Sequence, residues 1–404
     1  MAFLATPPTV ALEIGTTTVR ALVGESRDDG HLMITGLGES PSRGVRKGDI
    51  VDLDNATACV RSALTAAEEN SRVDIYEVHL VVSGGQIMSL VNRGSVPILS
   101  PGHEIADDDV RHVMDTASAV TLPADRQVLH TVAQHFHVDD QPGVINPVGM
   151  EGAKLSLDML VVHGVLNRLR NLVKVAHSAR VEVVDVDFSG LCAALAVLTP
   201  EEKEAGVLVV DLGGGTTDFV AYANDVIATA GAFGVGGDHV TNDIAYGLRM
   251  SLTDAERLKE SSGSAVIELA ARSQRISLPG GVGEPDREAR LSDLNTIMHA
   301  RMDETLGVVR RMIEGGGLLR SLGAGVVLTG GGAHLRQVDR LAEKVFGLPC
   351  RIGSPRGVGG LKAVTEGPEF ASVVGAVRWG LRNAVAGEKA GGSLKSILKK
   401  LFRK

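Results

Sequence analysis

Two stretches of the sequence share one unusual pattern, about half a chain apart. "VALEIGTTTVRALVGE" (residues 10–25) and "VLVVDLGGGTTDFVAY" (residues 207–222) each combine an apolar strand, an acid, glycine, threonines and a second apolar strand. One copy alone fits an ordinary hairpin with a polar turn. A second copy in a chain of 404 residues indicates two similar halves. Strands alternate with helical patterns around both copies, which predicts an α/β protein with two lobes.

Composition limits the classes of function. Hydrophobic residues make up 44% and charged residues 22%, as in an ordinary globular protein. Aromatic residues are scarce at 3% and the net charge is −8, so we expect no nucleic-acid partner. Cys59, Cys192 and Cys350 are far apart and odd in number, which indicates free thiols. With no leader pattern and no run of about 18 apolar residues, we expect the body to be cytosolic.

The polar turns of the two repeats predict a phosphate site. Glycine lets backbone N–H groups approach a phosphate, and threonine hydroxyls add donors beside them. The residues of this type are Gly15, Thr16, Thr17 and Thr18 in the first turn, and Gly213, Gly214, Gly215, Thr216 and Thr217 in the second. An acid directly before each turn, Glu13 or Asp211, would repel a phosphate unless a cation lay between them. We therefore expect Mg²⁺, held through water by these two acids.

A third glycine-rich turn follows another buried strand and precedes an amphipathic helix. It contains Gly330, Gly331, Gly332 and Ala333 in "VVLTGGGAHL". Glycines here would let a flat base lie against the backbone, although close packing of strand on helix is an alternative explanation. The chain has no GxxxxGK[ST] motif and no GxGxxG after its first strand, which excludes a P-loop and a dinucleotide fingerprint. The three turns together predict a nucleotide held between the lobes.

This set of turns resembles the nucleotide site of the actin, hexokinase and heat-shock chaperone superfamily. Within it, "FGVGGDHVTNDIAYGLRMSLTDAERLK", "NPVGMEGAKL" and "GSPRGVGGLKAV" are similar to signatures of the FtsA family of bacterial division proteins, and the resemblance runs from about residue 9 to 381. It implies a two-lobed actin-like α/β fold with an FtsA-type inserted α+β subdomain, and ATP with Mg²⁺ as the ligand.

The resemblance also implies roles for single residues. Gly331, Gly332 and Ala333 would border the adenine, and Gly236 and Gly237 would pass near the sugar. Glu256 and Lys259 would lie at the ribose. For Glu256 a capping box that begins at Thr253 is the alternative.

A subdomain division follows from the same resemblance. The first-lobe core (IA) would comprise residues 9–83, 166–198 and 363–384, the inserted subdomain (IC) residues 84–165, the second-lobe core (IIA) residues 199–230 and 305–362, and subdomain IIB residues 231–304. Subdomain IIB would receive the C-terminal peptide of FtsZ. A linker over residues 385–392 would lead to a terminal helix.

One residue departs from the family pattern, which usually has aspartate at the position of Glu13. The additional methylene moves the carboxylate outward by roughly 1.5 Å. A displacement of about 1 Å can slow a reaction by on the order of 100-fold. We therefore expect nucleotide binding with, at most, weak ATPase activity.

The last twelve residues, "SLKSILKKLFRK", predict an amphipathic helix over residues 393–404. One side of this helix would be apolar, formed by Leu394, Ile397, Leu398, Leu401 and Phe402. The other side would be basic, formed by Lys395, Lys399, Lys400, Arg403 and Lys404. Such a helix can lie in the headgroup plane of an anionic membrane. The alternative is a helix docked on the acidic body of the chain.

Together with these features, the family resemblance implies an ATP-binding division protein that polymerises under the membrane and anchors FtsZ filaments there. We expect it at the cytoplasmic face of the inner membrane, at the septum, with FtsZ, other division proteins and further copies of itself as partners. A PilM-like pilus scaffold and a small-metabolite kinase of the same superfamily are the alternatives. His130, His135 and His137 in "HTVAQHFH" are interpreted as solvated strand histidines rather than metal ligands.

Overall fold

The first repeat forms a hairpin within a mixed sheet in the computed structural model, which describes residues 8–27, 31–268, 273–279 and 285–389. The first elements are β1 (Thr9–Ile14), β2 (Thr18–Ser26), β3 (Leu32–Pro41), β4 (Val45–Arg46), β5 (Asp49–Ile50), α1 (Leu53–Ser71) and β6 (Glu77–Val82). β1 pairs antiparallel with β2 and parallel with β6. Asp52 caps α1 because its carboxylate accepts the backbone N–H of Asn55 at 3.0 Å.

The insertion that follows has a sheet and a hydrophobic core of its own. Its elements are β7 (Met88–Pro97), α2 (Asp107–Ser118), β8 (Arg126–Val138), β9 (Gln141–Val144) and β10 (Lys154–Val165). The strand order is β7-β10-β8-β9, and Val113 and Ala117 bury one face of α2 against this sheet. An inserted α+β unit was predicted here, and it is confirmed.

The second repeat has the same strand topology as the first. The elements that connect and form it are α3 (Leu166–Ser178), β11 (Glu182–Phe188), α4 (Ser189–Val197), α5 (Pro200–Ala205), β12 (Val207–Leu212), β13 (Thr217–Ala223) and β14 (Val226–Phe233). β12 and β13 form the second hairpin in the place of β1 and β2. Every residue of β12 is buried, which explains its nearly continuous apolar sequence.

The remaining elements complete the second sheet and return to the first. They are α6 (Gly237–Leu248), α7 (Leu252–Ser262), β15 (Arg275–Leu278), β16 (Arg287–Arg290), α8 (Leu291–Gly315), β17 (Val326–Thr329), α9 (Val338–Phe346), β18 (Cys350–Ile352), β19 (Val358–Gly360), α10 (Lys362–Glu366) and α11 (Ala371–Lys389). The two sheet orders, β3-β2-β1-β6-β11 with β19 beside β3, and β14-β13-β12-β17-β18, match strand for strand. The predicted two-lobed α/β architecture is confirmed.

The last helix is longer than the sequence prediction. α11 continues to Lys389 and so includes residues 385–389 of the predicted linker. The sequence "AVAGEK" is rich in helix-forming residues, and its one glycine does not end the helix. The rest of that linker and the predicted helix 393–404 lie outside the described residues. Among the helices that are described, none combines the length and apolar character needed to cross a bilayer.

Helix α11 lies directly against α4 at Gly375. A Cβ on Gly375 would stand 1.8 Å from the carbonyl oxygen of Cys192, whereas a Cβ on Gly307 of α8 would meet only the end of Arg311 at 3.5 Å. We expect Gly375→Ala to lower the free energy of unfolding by about 1–3 kcal/mol through overpacking. Gly307→Ala, a glycine inside another helix, should raise it by about 0.5–1 kcal/mol. Chemical denaturation of both variants tests this contrast, and equal effects would contradict it.

Candidate functional site

The tips of the two repeated hairpins meet face to face. A Cβ on Gly214 would lie 2.4 Å from Thr17 Cγ2, and one on Gly215 would lie 2.4 Å from Thr16 Oγ1. Real Cβ atoms do not approach other atoms so closely, so this contact requires glycine. Thr17 is exposed at the edge of the contact.

One cavity joins the hairpins to the third turn. Its wall includes most of the predicted phosphate and metal residues, which are Glu13, Gly15, Thr16, Thr17, Thr18, Asp211, Gly213, Gly214, Gly215, Thr216, Gly330 and Gly331. Residues from three distant parts of the chain therefore face one space. The other predicted residues do not line this cavity, and they are Thr217, Gly236, Gly237, Glu256, Lys259, Gly332 and Ala333.

Glu256 and Lys259 lie in α7 and form a polar group against the first turn of α6. Lys259 Nζ lies 2.7 Å from Glu256 Oε1 and donates to Thr241 Oγ1 at 3.0 Å. It also reaches the carbonyl oxygen of Gly237 at 3.4 Å. Because the N–H of Gly237 donates to the carbonyl oxygen of Gly213 at 2.9 Å, this group is attached to the second hairpin.

The capping-box interpretation of Glu256 is wrong. α7 begins earlier, at Leu252, and its N-cap is Ser251. Ser251 Oγ accepts the backbone N–H of Asp254 at 3.1 Å, so Thr253 lies inside the helix. The Glu256 carboxylate is left to pair with Lys259.

The glycines of the third turn have different surroundings. Gly330 has φ +79° and a Cβ there would lie 2.1 Å from Asp211 Oδ1, while a Cβ on Gly332 would lie 2.7 Å from Leu212 Cβ. Close packing explains both of these glycines. A Cβ on Gly331 would meet nothing within 4 Å, so packing does not explain this one. Ala333 is buried behind the turn.

The hydroxyl of Thr217 was expected to donate to a phosphate, but it is already engaged within the protein. Thr217 is fully buried, and its hydroxyl donates to the carbonyl oxygen of Val235 at 2.8 Å. This bond ties the second hairpin to the turn before α6.

Buried carboxylates dominate the electrostatics of the cavity. Burial, reinforced by the nearby Asp218 and Glu13, raises the pKa of Asp211 well above its ordinary value. Burial also raises the pKa of Asp218 to about 7, although hydrogen bonds from Ser189 and Ser83 oppose the shift. A cation would relieve this accumulation of acids, so the donor set fits Mg²⁺.

The carboxylate of Glu13 has two partners of its own. Oε1 accepts the Ser372 hydroxyl at 2.7 Å, and Oε2 lies 3.2 Å from Arg20 Nη1. Arg20 continues to Glu39 at 2.9 Å. Within the described ranges, no cluster of three or more His, Cys, Asp or Glu side chains could hold a metal by itself. A cation at Glu13 and Asp211 would therefore depend on water and on ligand phosphates as well.

Sequence reasoning missed several cavity residues, namely Arg20, Gly48, Ser83, Asp218, Ser189 and Ser372. Asp218 was visible as the acid after the paired threonines. Ser83 directly follows β6 and precedes the glycine pair Gly84 and Gly85. Arg20 and Ser372 gave no signal, because each matters through Glu13 and Ser372 comes from the far end of the chain.

The histidines of β8 differ from the solvated strand residues expected. His130 is buried, accepts the backbone N–H of Phe188 at 2.9 Å, and lies edge-on to Trp379. His137 Nε2 lies 3.0 Å from Asp158 Oδ2, so this histidine has a carboxylate partner within the protein. His135 is partly exposed.

Comparison with known proteins decides the family. The model for the cell division protein FtsA matches residues 208–375, and the model for the SHS2 domain inserted in FtsA matches residues 84–163. The FtsA of Pseudomonas aeruginosa is 36% identical over 373 residues, covering 92% of this chain and 89% of its own. The FtsA of Escherichia coli is 34% identical over 386 residues, covering 94% and 91%.

The chain belongs to the FtsA family. Solved structures give the same fold at lower identity. A PilM-PilN type IV pilus biogenesis complex matches with a TM-score of 0.63 at 16% identity, covering 92% of this chain and 98% of that one. MreB 5 of Spiroplasma citri bound to AMPPNP matches with a TM-score of 0.57 at 17% identity, covering 96% and 99%. The FtsA-type fold with its insert, predicted from the sequence, is confirmed.

The buried acids predict how the stability of this FtsA-family chain varies with pH. Because the pKa of Asp218 rises from 3.8 to about 7 on folding, the folded chain binds more protons than the unfolded chain in that interval. Stability should therefore fall as the pH rises through it. We expect Asp218→Asn to reduce the loss of melting temperature between pH 5 and pH 8. The exposed Asp303→Asn should retain the wild-type loss; an unchanged profile for Asp218→Asn would contradict the assignment.

Proposed function

We propose that this chain binds ATP with Mg²⁺ between its lobes, and that it anchors FtsZ filaments to the membrane as an actin-like polymer. The observation that carries the nucleotide part is the convergence of three glycine turns and the acids Glu13 and Asp211 on one cavity. The family membership of the chain supports the adaptor part. PilM shares the fold alone, so the pilus scaffold is not preferred.

The surroundings of each turn support a placement of the nucleotide. The phosphates belong at the hairpin tips, where backbone amides and Thr16 are exposed to the cavity. The base belongs at Gly331, where the third turn is open. The ribose belongs beside Glu256 and Lys259, whose charged groups lie next to Gly237. Mg²⁺ supplies charge neutralisation between the phosphates and the two acids.

Slow hydrolysis follows from the contacts of Glu13. Its two oxygens are engaged by Ser372 and Arg20, so the carboxylate is held in place by these contacts. We propose that the state of the nucleotide acts mainly on lobe closure and assembly.

Gly331→Val tests the nucleotide site with little risk to the fold. The space beside Gly331 is open, so the valine should be tolerated by the protein but should obstruct the base. We expect ATP with Mg²⁺ to raise the melting temperature of the wild type and of Gly315→Val, a glycine with equally open surroundings at the end of α8. The shift should be lost in Gly331→Val. Equal shifts in all three proteins would refute the placement.

Residues 393–404 are the proposed membrane anchor, and their charge pattern gives a matched pair of variants. Leu398→Glu places a charge in the apolar stripe, whereas Ser396→Glu places the same charge on the polar side. A charge that must enter the interface costs perhaps 2–3 kcal/mol, or roughly 30- to 150-fold in partitioning. Sedimentation with anionic vesicles should show the loss for Leu398→Glu and a much smaller loss for Ser396→Glu. Full pelleting of a chain that ends at residue 392 would refute the anchor.

The corner between α6 and α7 is the proposed docking surface for the FtsZ peptide. Tyr246 is 90% exposed and Leu252 is 57% exposed, and the exposed Arg249 lies between them in the chain. Exposed aromatic and arginine side chains are typical of peptide hot spots. We expect Tyr246→Ser to weaken FtsZ peptide binding by about tenfold or more. Tyr76→Ser, at a tyrosine that is 71% exposed in the first lobe, should leave the affinity unchanged, and equal effects would contradict the assignment.

A further inference from the structure

The inserted subdomain (β7 to β10, here the insert) touches both lobes, although the chain connects it to the first lobe only. It follows β6 and precedes α3, which are both elements of the first lobe. In space it lies against β14, an edge strand of the sheet in the second lobe. The outer backbone groups of an edge strand lack strand partners, so what covers them is informative.

Hydrogen bonds from the start of the insert cover this edge. Ser89 Oγ in β7 donates to the carbonyl oxygen of Ala230 at 2.6 Å and accepts the N–H of Ala230 at 3.0 Å. The carbonyl oxygen of Ile87 accepts the N–H of Ala232 at 3.2 Å. The insert therefore occupies the place that a further strand of this sheet would take.

A second strand of the insert bonds the same edge farther along. Gln134 Nε2 in β8 donates to the carbonyl oxygen of Ile227 at 2.6 Å. The surface between insert and edge is apolar, because one buried core contains residues of both, namely Ile227, Ala230 and Ala232 of β14, and Leu129, Leu160 and Val162 of the insert. Backbone groups buried in such a contact lose their partners when it opens, which opposes opening.

The insert is also fixed to the first lobe by buried contacts. His130 of β8 accepts the N–H of Phe188 in β11 at 2.9 Å, and its ring lies edge-on to Trp379 of α11. The segment that enters the insert passes closely over the second lobe, since a Cβ on Gly85 would stand 2.8 Å from the backbone nitrogen of Gly234. The base of the insert is thus held on both sides.

We propose that the insert is a brace that restricts rotation of the second lobe relative to the first. When the lobes rotate, β14 moves relative to β11 and α11. The insert must then lose its Ser89 and Gln134 bonds or turn on its attachment to the first lobe. Among the described residues that line the cavity at the hairpin tips, none belongs to the insert, so the brace acts on the lobes from another side.

Pulsed electron–electron double resonance of the full chain measures the distance between the lobes. Nitroxide labels are placed at two exposed positions, with Thr65→Cys in α1 and Lys344→Cys in α9. The labelled chain carries Cys350→Ser, whereas Cys59 and Cys192 are buried and are retained. No nucleotide is added, so the result does not depend on the proposed nucleotide site.

Ser89→Ala combined with Gln134→Leu removes the side-chain bonds to β14. We expect the distribution of distances between the lobes to broaden and its mean to shift. Amides of residues 226–233 should exchange about tenfold faster or more. The matched control is Ser95→Ala combined with Gln127→Leu, which changes the same residue types in the same two strands but removes bonds that stay within the insert. The control should keep the wild-type distribution.

Two results would overturn the brace. One is an unchanged distribution in the variant at Ser89 and Gln134, whether or not residues 226–233 exchange faster. The other is equal broadening in the test variant and the control, because the change would then come from a weakened insert. If the double substitution fails to fold, Ser89→Ala and Gln134→Leu alone give the same comparison with the single control substitutions.

Discussion

The contact between two glycine hairpins determines where everything else in the site can lie. Gly214 and Gly215 of one lobe accept the side chains of Thr17 and Thr16 of the other, at separations that exclude any Cβ. Each hairpin stands in the same position of a sheet with the same strand order. Equivalent loops from the two halves therefore face each other, and a ligand between them touches both lobes. If a phosphate chain binds here as proposed, its binding is coupled to the angle between the lobes.

The charges around the proposed site favour an anion that carries a divalent cation. Asp211 and Asp218 are buried close to Glu13, and burial raises the pKa of both aspartates. Arg20 and Ser372 satisfy the Glu13 carboxylate, but Asp211 makes no comparable ion pair within the part of the chain that is described. A phosphate alone would meet repulsion here. A divalent cation bound with its phosphates would neutralise these acids and offset the cost of burying them.

The sequence predicted the features that repeat or that follow local rules. The two hairpins were expected from the repeated pattern, and the inserted α+β unit was expected from the family resemblance. It did not predict contacts that depend on distant parts of the chain: Ser372 bonds Glu13 across 359 positions. His130 was expected in solvent because strand alternation cannot show that α11 covers its face with Trp379. The predicted linker began at residue 385, but α11 continues to Lys389 because the residues there favour a helix.

Hydrogen exchange of the unmodified chain, with and without ATP and Mg²⁺, tests the central claim most directly. If one nucleotide lies between the two repeats, amides of residues 15–18 and of residues 213–217 should gain protection together and over the same range of ATP concentration. The third turn at residues 330–333 should follow them. Protection of one hairpin without the other, or of neither at saturating ATP, would contradict the account.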